Sequence, residues 1–182
     1  MLGYIYHDVS IVASGAIFMS VNDDSGNDVS SVSIRDLLAR RGLGEDVLVA
    51  TAMELYVPHP GVETRDSAEQ VFLRELELAL SDPNLCLLLY AAILLEDAGV
   101  KRELPDLPAS AYEKDLNYLL ADEVLGQVIA TYIAGHKGGF EYARFDRNKP
   151  GVLRELGPFM DDTIAGLISG VSSNMYTRGI KH

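Results

Sequence analysis

Two acidic pairs are the groups in this chain best placed to do chemistry. Asp122–Glu123 lies in LNYLLADEVLGQVIATYIAG and Asp161–Asp162 in GPFMDDTIAGLISGVSS, and both stretches carry apolar residues at helical spacing. Ionised carboxylates are costly to bury without a cation or donor to compensate them. Between the pairs, FEYARFDRNKPG supplies Arg144, Arg147 and Lys149. Four carboxylates offer oxygen ligands to a hard cation such as magnesium, which commonly shares its shell with water and substrate phosphates. A metal held there would bridge a phosphate and acidify a bound water. Arg144 would meet the remaining phosphate charge as a bidentate fork and Lys149 as a point charge. The competing reading makes Arg144 and Asp146 an ordinary surface pair and Lys149-Pro150-Gly151 a plain turn.

The elements that must position these groups read as an all-α protein. Each pair precedes a glycine by one helical turn, Asp122 before Gly126 and Asp162 before Gly166, with Gly170 extending the second stripe. Interior helical glycines cost about 0.5–1 kcal/mol against alanine, so the coincidence predicts two helices meeting through glycine faces and bringing their Asp residues together. Upstream, SIRDLLARRG has a Ser cap and a Gly stop, EDVLVATAMELY is helical, and the Pro58-His59-Pro60 loop breaks it. A helix over 64–80 is expected to turn Val71, Leu73, Leu76 and Leu80 inward. The run NLCLLLYAAILLEDAG, opened by Pro83, is apolar almost all round and predicts a central helix surrounded by others. Its Glu96 and Asp97 oppose the macrodipole of their own helix; they are either exposed at a helix end or additional members of the acidic site. His59 is either a solvent-exposed loop residue or a proton shuttle and phosphate contact. His136–Lys137 reads as the basic C-terminal end of the Asp122 helix. Residues 1–21 suggest a strand or loose hairpin, followed by a polar loop, so that 1–32 differs from the rest of a single domain spanning 1–182.

The FDRNKP segment followed by LxxLGPFMDDTIAG resembles the C-terminal signature of the phosphatidylglycerophosphatase A superfamily, and ADEVLG its Asp-Glu-x-x-Gly helix. ELYVPHPG and LLLYAAILLEDAG resemble the soluble α-ribazole-5′-phosphate phosphatases of cobalamin synthesis. The resemblance covers residues 45–175 and places Arg144, Asp146, Lys149, Asp161 and Asp162 on signature positions. It implies a soluble, magnesium-dependent phosphomonoesterase acting on α-ribazole-5′-phosphate, with phosphatidylglycerophosphate as the alternative substrate. Residues 1–44 do not resemble the glycine-rich N-terminal portion of the lipid phosphatases.

Composition bounds the remaining choices. A net charge of −12 argues against nucleic acid and against electrostatic binding to an anionic membrane. A lone Cys86 permits no internal disulfide and suits a reducing cytoplasm, and with few His it argues against zinc. The longest uninterrupted apolar run, Leu85 to Leu95, is expected to be too short to span a bilayer, and no signal peptide is visible. No Walker A sequence, GxSxG elbow or Cys-based phosphatase loop occurs. A non-enzymatic helical module that binds only cations or a basic partner is the remaining alternative. The oligomeric state is left open, with a homodimer among the options.

Overall fold

Capping residues set where the helices begin. Ser33 accepts from the Arg35 N–H and opens α1 (Ile34–Ala39). After α2 (Glu45–Glu54) the prolines end the helix, and a His59–Val62 bridge closes the loop. A reciprocal Thr64–Ser67 capping box opens α3 (Arg65–Ala79). Asp82 caps α4 (Pro83–Lys101), with Pro83 in its first turn as expected. The chain continues through α5 (Ala121–Ala134), α6 (His136–Asn148), a 3-10 turn (Gly151–Arg154) and α7 (Pro158–Arg178). The computed structural model describes residues 32–108 and 119–179, all within the unit Val32–His182. Among the described residues the fold is all-α, with no strand beyond the isolated His59–Val62 bridge. The strand or hairpin expected within residues 1–21, and the loop after it, lie outside the described residues.

The central helix is α7, not the apolar run in α4. α7 packs against α2 through α6 and is buried without interruption from Asp162 to Ser173. It mixes small residues (Ala165, Gly166, Ser169, Gly170, Ser172, Ser173) with large apolar ones, and five helices pack on it. α4 buries only Leu85, Leu89, Ala92 and Ile93 of its 19 residues. Its apolar character does not come from being surrounded. By length and a mean hydropathy of 1.4, α4 is the one described helix that could cross a membrane. A smaller correction falls on α3, where Phe72 takes the inward position expected of Leu73, which is 38% exposed.

α5 and α7 run in the same direction at backbone contact. A Cβ on Gly166 would lie 2.2 Å from the Gly126 carbonyl oxygen, and one on Gly126 only 2.3 Å from the Asp162 carbonyl oxygen. One helical turn further on, Gly170 faces Ile133. The glycine stripes read from the sequence are therefore the contact line of two helices. Gly126→Ala should destabilise the protein by about 1–3 kcal/mol or more, because the atom it strikes belongs to another backbone and cannot rotate away. Gly139→Ala, whose Cβ would meet only the Thr131 hydroxyl at 3.3 Å, should be neutral or stabilising. Thermal melts of the two variants test the contact; equal melting temperatures would show that the backbones are not locked together.

Candidate active site

The glycine contact fixes where the acids go. Asp122 sits one turn before Gly126 on α5, and the Asp162 backbone lies on Gly126 itself. Carboxylate oxygens of Asp122, Glu123 and Asp162 consequently lie within 4.8 Å of one another. α6 packs across the same place, bringing Asp146 and Lys149 to the cluster. The Lys149 ammonium contacts Asp146 Oδ1 at 2.7 Å, Asp161 Oδ2 at 2.8 Å and Asp162 Oδ1 at 2.8 Å. Lys149 ends α6 in the left-handed region, at φ 42°. That is an uncommon place for a residue other than glycine and is held by its surroundings. The surroundings are visible: Gly151 N–H donates to Glu54 and Val152 N–H to Thr51, pinning the turn to α2. A Cβ on Gly151, at φ +51°, would lie 2.6 Å from Thr51 Oγ1. The Lys149-Pro150-Gly151 turn is thus the clamp that delivers the ammonium.

Three carboxylates share the Lys149 ammonium while Asp122 and Glu123 stand beside them, and the imbalance shows in the proton affinities. Burial pushes the Asp162 carboxyl up to about 6, with Asp161 adding to it and the Lys149 hydrogen bond opposing it. Asp161 is raised for the same leading reason. Glu123 is raised by burial and then by Asp122. Burial alone would lower the Lys149 ammonium, but hydrogen bonds to Asp146, Asp161 and Asp162 outweigh it and hold the proton more tightly than usual. Among the described residues two buried polar atoms lack a well-formed hydrogen bond here, Glu123 Oε2 beside Asp122 and the Tyr142 hydroxyl beside Asp162. Tyr142 is 6% exposed, and its phenol pKa is raised by burial and by Asp162, Asp146 and Glu123. It therefore stays a neutral O–H donor among carboxylates. Buried polar groups without a well-formed hydrogen bond are rare in folded proteins. The donor set is oxygen only, with excess negative charge, which fits a hard divalent cation.

Other residues considered from the sequence go elsewhere. Arg144 donates to the Leu55 carbonyl at 2.8 Å and to Glu141, on a face of α6 away from Asp146. Two residues apart on a helix are not neighbours, so Arg144 does not join the cluster. His59 lies edge-on against Tyr176, in the proline loop, and does not join it either. Glu96 accepts from the Phe159 N–H at 3.0 Å and so caps α7, whose positive end it complements. That resolves its awkward position at the end of α4: it serves a different helix. Asp97 forms a two-pronged pair with Arg41, at 2.8 and 3.0 Å. Neither belongs to the acidic site. His136 and Lys137 open α6 rather than closing α5, because Gly135 breaks the chain between them.

Tyr142 was missed by sequence reasoning, although a signal existed. Tyr142, Asp146 and Lys149 follow one another at spacings of four and three, the spacing of one helical face. If its hydroxyl awaits an occupant, Tyr142→Phe should leave the metal-free protein as stable or about 1 kcal/mol more stable, since a buried unsatisfied donor is removed. The same variant should show a smaller rise in melting temperature on adding magnesium than the wild type. A loss of metal-free stability instead would mean that the hydroxyl is already satisfied.

The comparisons with known proteins agree with the helices that build this site. The family described as Phosphatidylglycerophosphatase A matches residues 48–177, from within α2 to the end of α7. An uncharacterized protein of Methanocaldococcus jannaschii is 40% identical over 128 residues, covering 68% of this chain and 96% of that relative. No solved structure matches the chain. The chain belongs to the phosphatidylglycerophosphatase A family, whose described activity is that of a phosphatase.

Proposed function

We propose that this protein is a magnesium-dependent phosphomonoesterase whose substrate is α-ribazole-5′-phosphate. The observation that carries the metal-dependent chemistry is the group of Asp122, Glu123 and Asp162 oxygens within 4.8 Å, flanked by a lysine already bridging acids. Asp122, Glu123 and Asp162 would hold the magnesium ion, which when bound supplies a Lewis acid and an acidified water. Asp161 completes the acidic wall and orients Lys149. Released from Asp162 when that residue holds the metal, Lys149 would neutralise phosphate charge while Asp146 and Asp161 keep its ammonium in place. Tyr142 offers a neutral hydrogen bond that no carboxylate in the cluster can offer.

The substrate assignment is supported by the likeness of ELYVPHPG and LLLYAAILLEDAG to the soluble ribazole-phosphate enzymes. Phosphatidylglycerophosphate is the second reading, favoured by the family's description and by the apolar length of α4. A binding module without catalysis is the third, and it predicts cation binding with no phosphate release.

Purified protein given both phosphomonoesters should release phosphate from α-ribazole-5′-phosphate with magnesium and stop on chelation. Full activity after exhaustive chelation would exclude the metal reading, and preference for the lipid would reverse the substrate. Asp162→Asn should abolish turnover at ordinary magnesium. Lys149→Met should raise KM by roughly ten- to a hundredfold, the equivalent of about 1.5–3 kcal/mol for one charge-assisted contact. It should also lower metal-free stability, because Asp146, Asp161 and Asp162 lose the one cation that pairs with them among the described residues, and increase the stabilisation given by magnesium.

The pH dependence has a definite sign. Asp162 binds its proton more tightly in the fold than its ordinary value of 3.8 allows, up to about 6. In the metal-free protein its contribution to stability is therefore full below the ordinary value and lost as pH rises through about 6. Metal binding requires the ionised form, so apparent magnesium affinity should rise with pH through that region and level off above it. Calorimetric titration across this window checks both; affinity independent of pH would remove Asp162 from the ligand set.

A further inference from the structure

Among the described residues the outward sides of α4 and α5 are apolar and exposed. Leu87, Tyr90 and Leu94 on α4 are 65%, 42% and 50% exposed, and Val124, Val128 and Tyr132 on α5 are 57%, 47% and 48% exposed. The two helices run antiparallel along α7, and they are joined where the Tyr132 hydroxyl donates to Asp82 at 2.8 Å. No charged residue occurs from Pro83 to Leu95 or from Val124 to Gly135. We propose that this face is a self-association surface, covered by α4 and α5 of a second copy of this chain across a twofold axis.

Charge favours this occupant. The chain carries a net charge of −12, so two copies meet with least repulsion through a face that bears no charge. A basic partner would find no carboxylate on the face to pair with, and an anionic lipid surface would be repelled by the rest of the molecule. A twofold contact places the same patch on both sides, and a neutral patch is complementary to itself. Size agrees with a modest interface. Thirteen helical residues run about 20 Å and two adjoining helices are about 20 Å wide, roughly 400 Å² in plan. Two facing copies would then remove on the order of 1,000 Å² of accessible surface, the lower limit for a specific contact. Tyr90 and Tyr132 belong to the residue type enriched at such interfaces. The inner side of α5 carries Asp122 and Glu123, so the pairing would brace the helix that presents half of the acidic cluster.

Sedimentation velocity of the full chain over the micromolar range tests the proposal, beside Leu87→Glu and Val128→Glu, with circular-dichroism melts to confirm folding. The wild type should pass from monomer to dimer with concentration. Each variant should keep its melt and raise the dimer dissociation constant at least about tenfold, because twofold symmetry brings each new charge into the contact twice. Leu94→Gln serves the same purpose should either charged variant fail to fold. A wild type that stays monomeric throughout overturns the proposal, and so does a dimer indifferent to all three substitutions. Pelleting with uncharged phosphatidylcholine vesicles, lost in Leu87→Glu, would assign the face to lipid instead.

Discussion

Everything at the acidic site depends on two backbones touching. Gly126 and Gly166 let α5 and α7 approach until a Cβ at either position would overlap a carbonyl of the other helix. Packing that close leaves no room for the acids on those helices to separate. Asp122 and Asp162 are held together by main-chain geometry rather than by their own attraction, which is repulsive. Strain of this kind is tolerated where the surrounding structure fixes it, and here α7 is locked by five neighbouring helices. The fold spends stability to hold an arrangement of charge that the acids alone would reject.

That arrangement defines what the site accepts. Lys149 answers part of the charge, but it reaches only Asp146, Asp161 and Asp162. Among the described residues no cation pairs with Asp122 or Glu123, and burial raises the proton affinity of Glu123, Asp161 and Asp162. A second cation relieves both the repulsion and the burial penalty, and a phosphate gives Lys149 something to bind once the acids have another partner. Metal and phosphate therefore suit the site as a pair.

Much of this was legible in the sequence because it is written locally. The carboxylate–glycine echo has a period of one helical turn, and helix periodicity survives without knowledge of the partner. The helix starts at Ser33, Thr64 and Asp82 are set by side chains within three residues of the groups they cap. What failed was tertiary. Glu96 looked misplaced because its own helix gives it no favourable role; the helix it caps lies 63 residues further on. Arg144 looked like a phosphate ligand by proximity in sequence to Asp146, whereas helical register turns it toward Leu55. The apolar run of α4 looked central because a surrounded helix and a helix with an uncovered apolar face have the same composition. Only α7, greasy on some sides and small on others, is shaped for many neighbours.

The most direct measurement is to locate a divalent ion on the protein. Crystals grown with manganese in place of magnesium would show an anomalous peak wherever the metal sits. The account predicts a peak bounded by Asp122, Glu123 and Asp162, with the Lys149 ammonium withdrawn from Asp162 and the peak absent in Asp162→Asn. A peak elsewhere, or one that persists unchanged in Asp162→Asn, would contradict it.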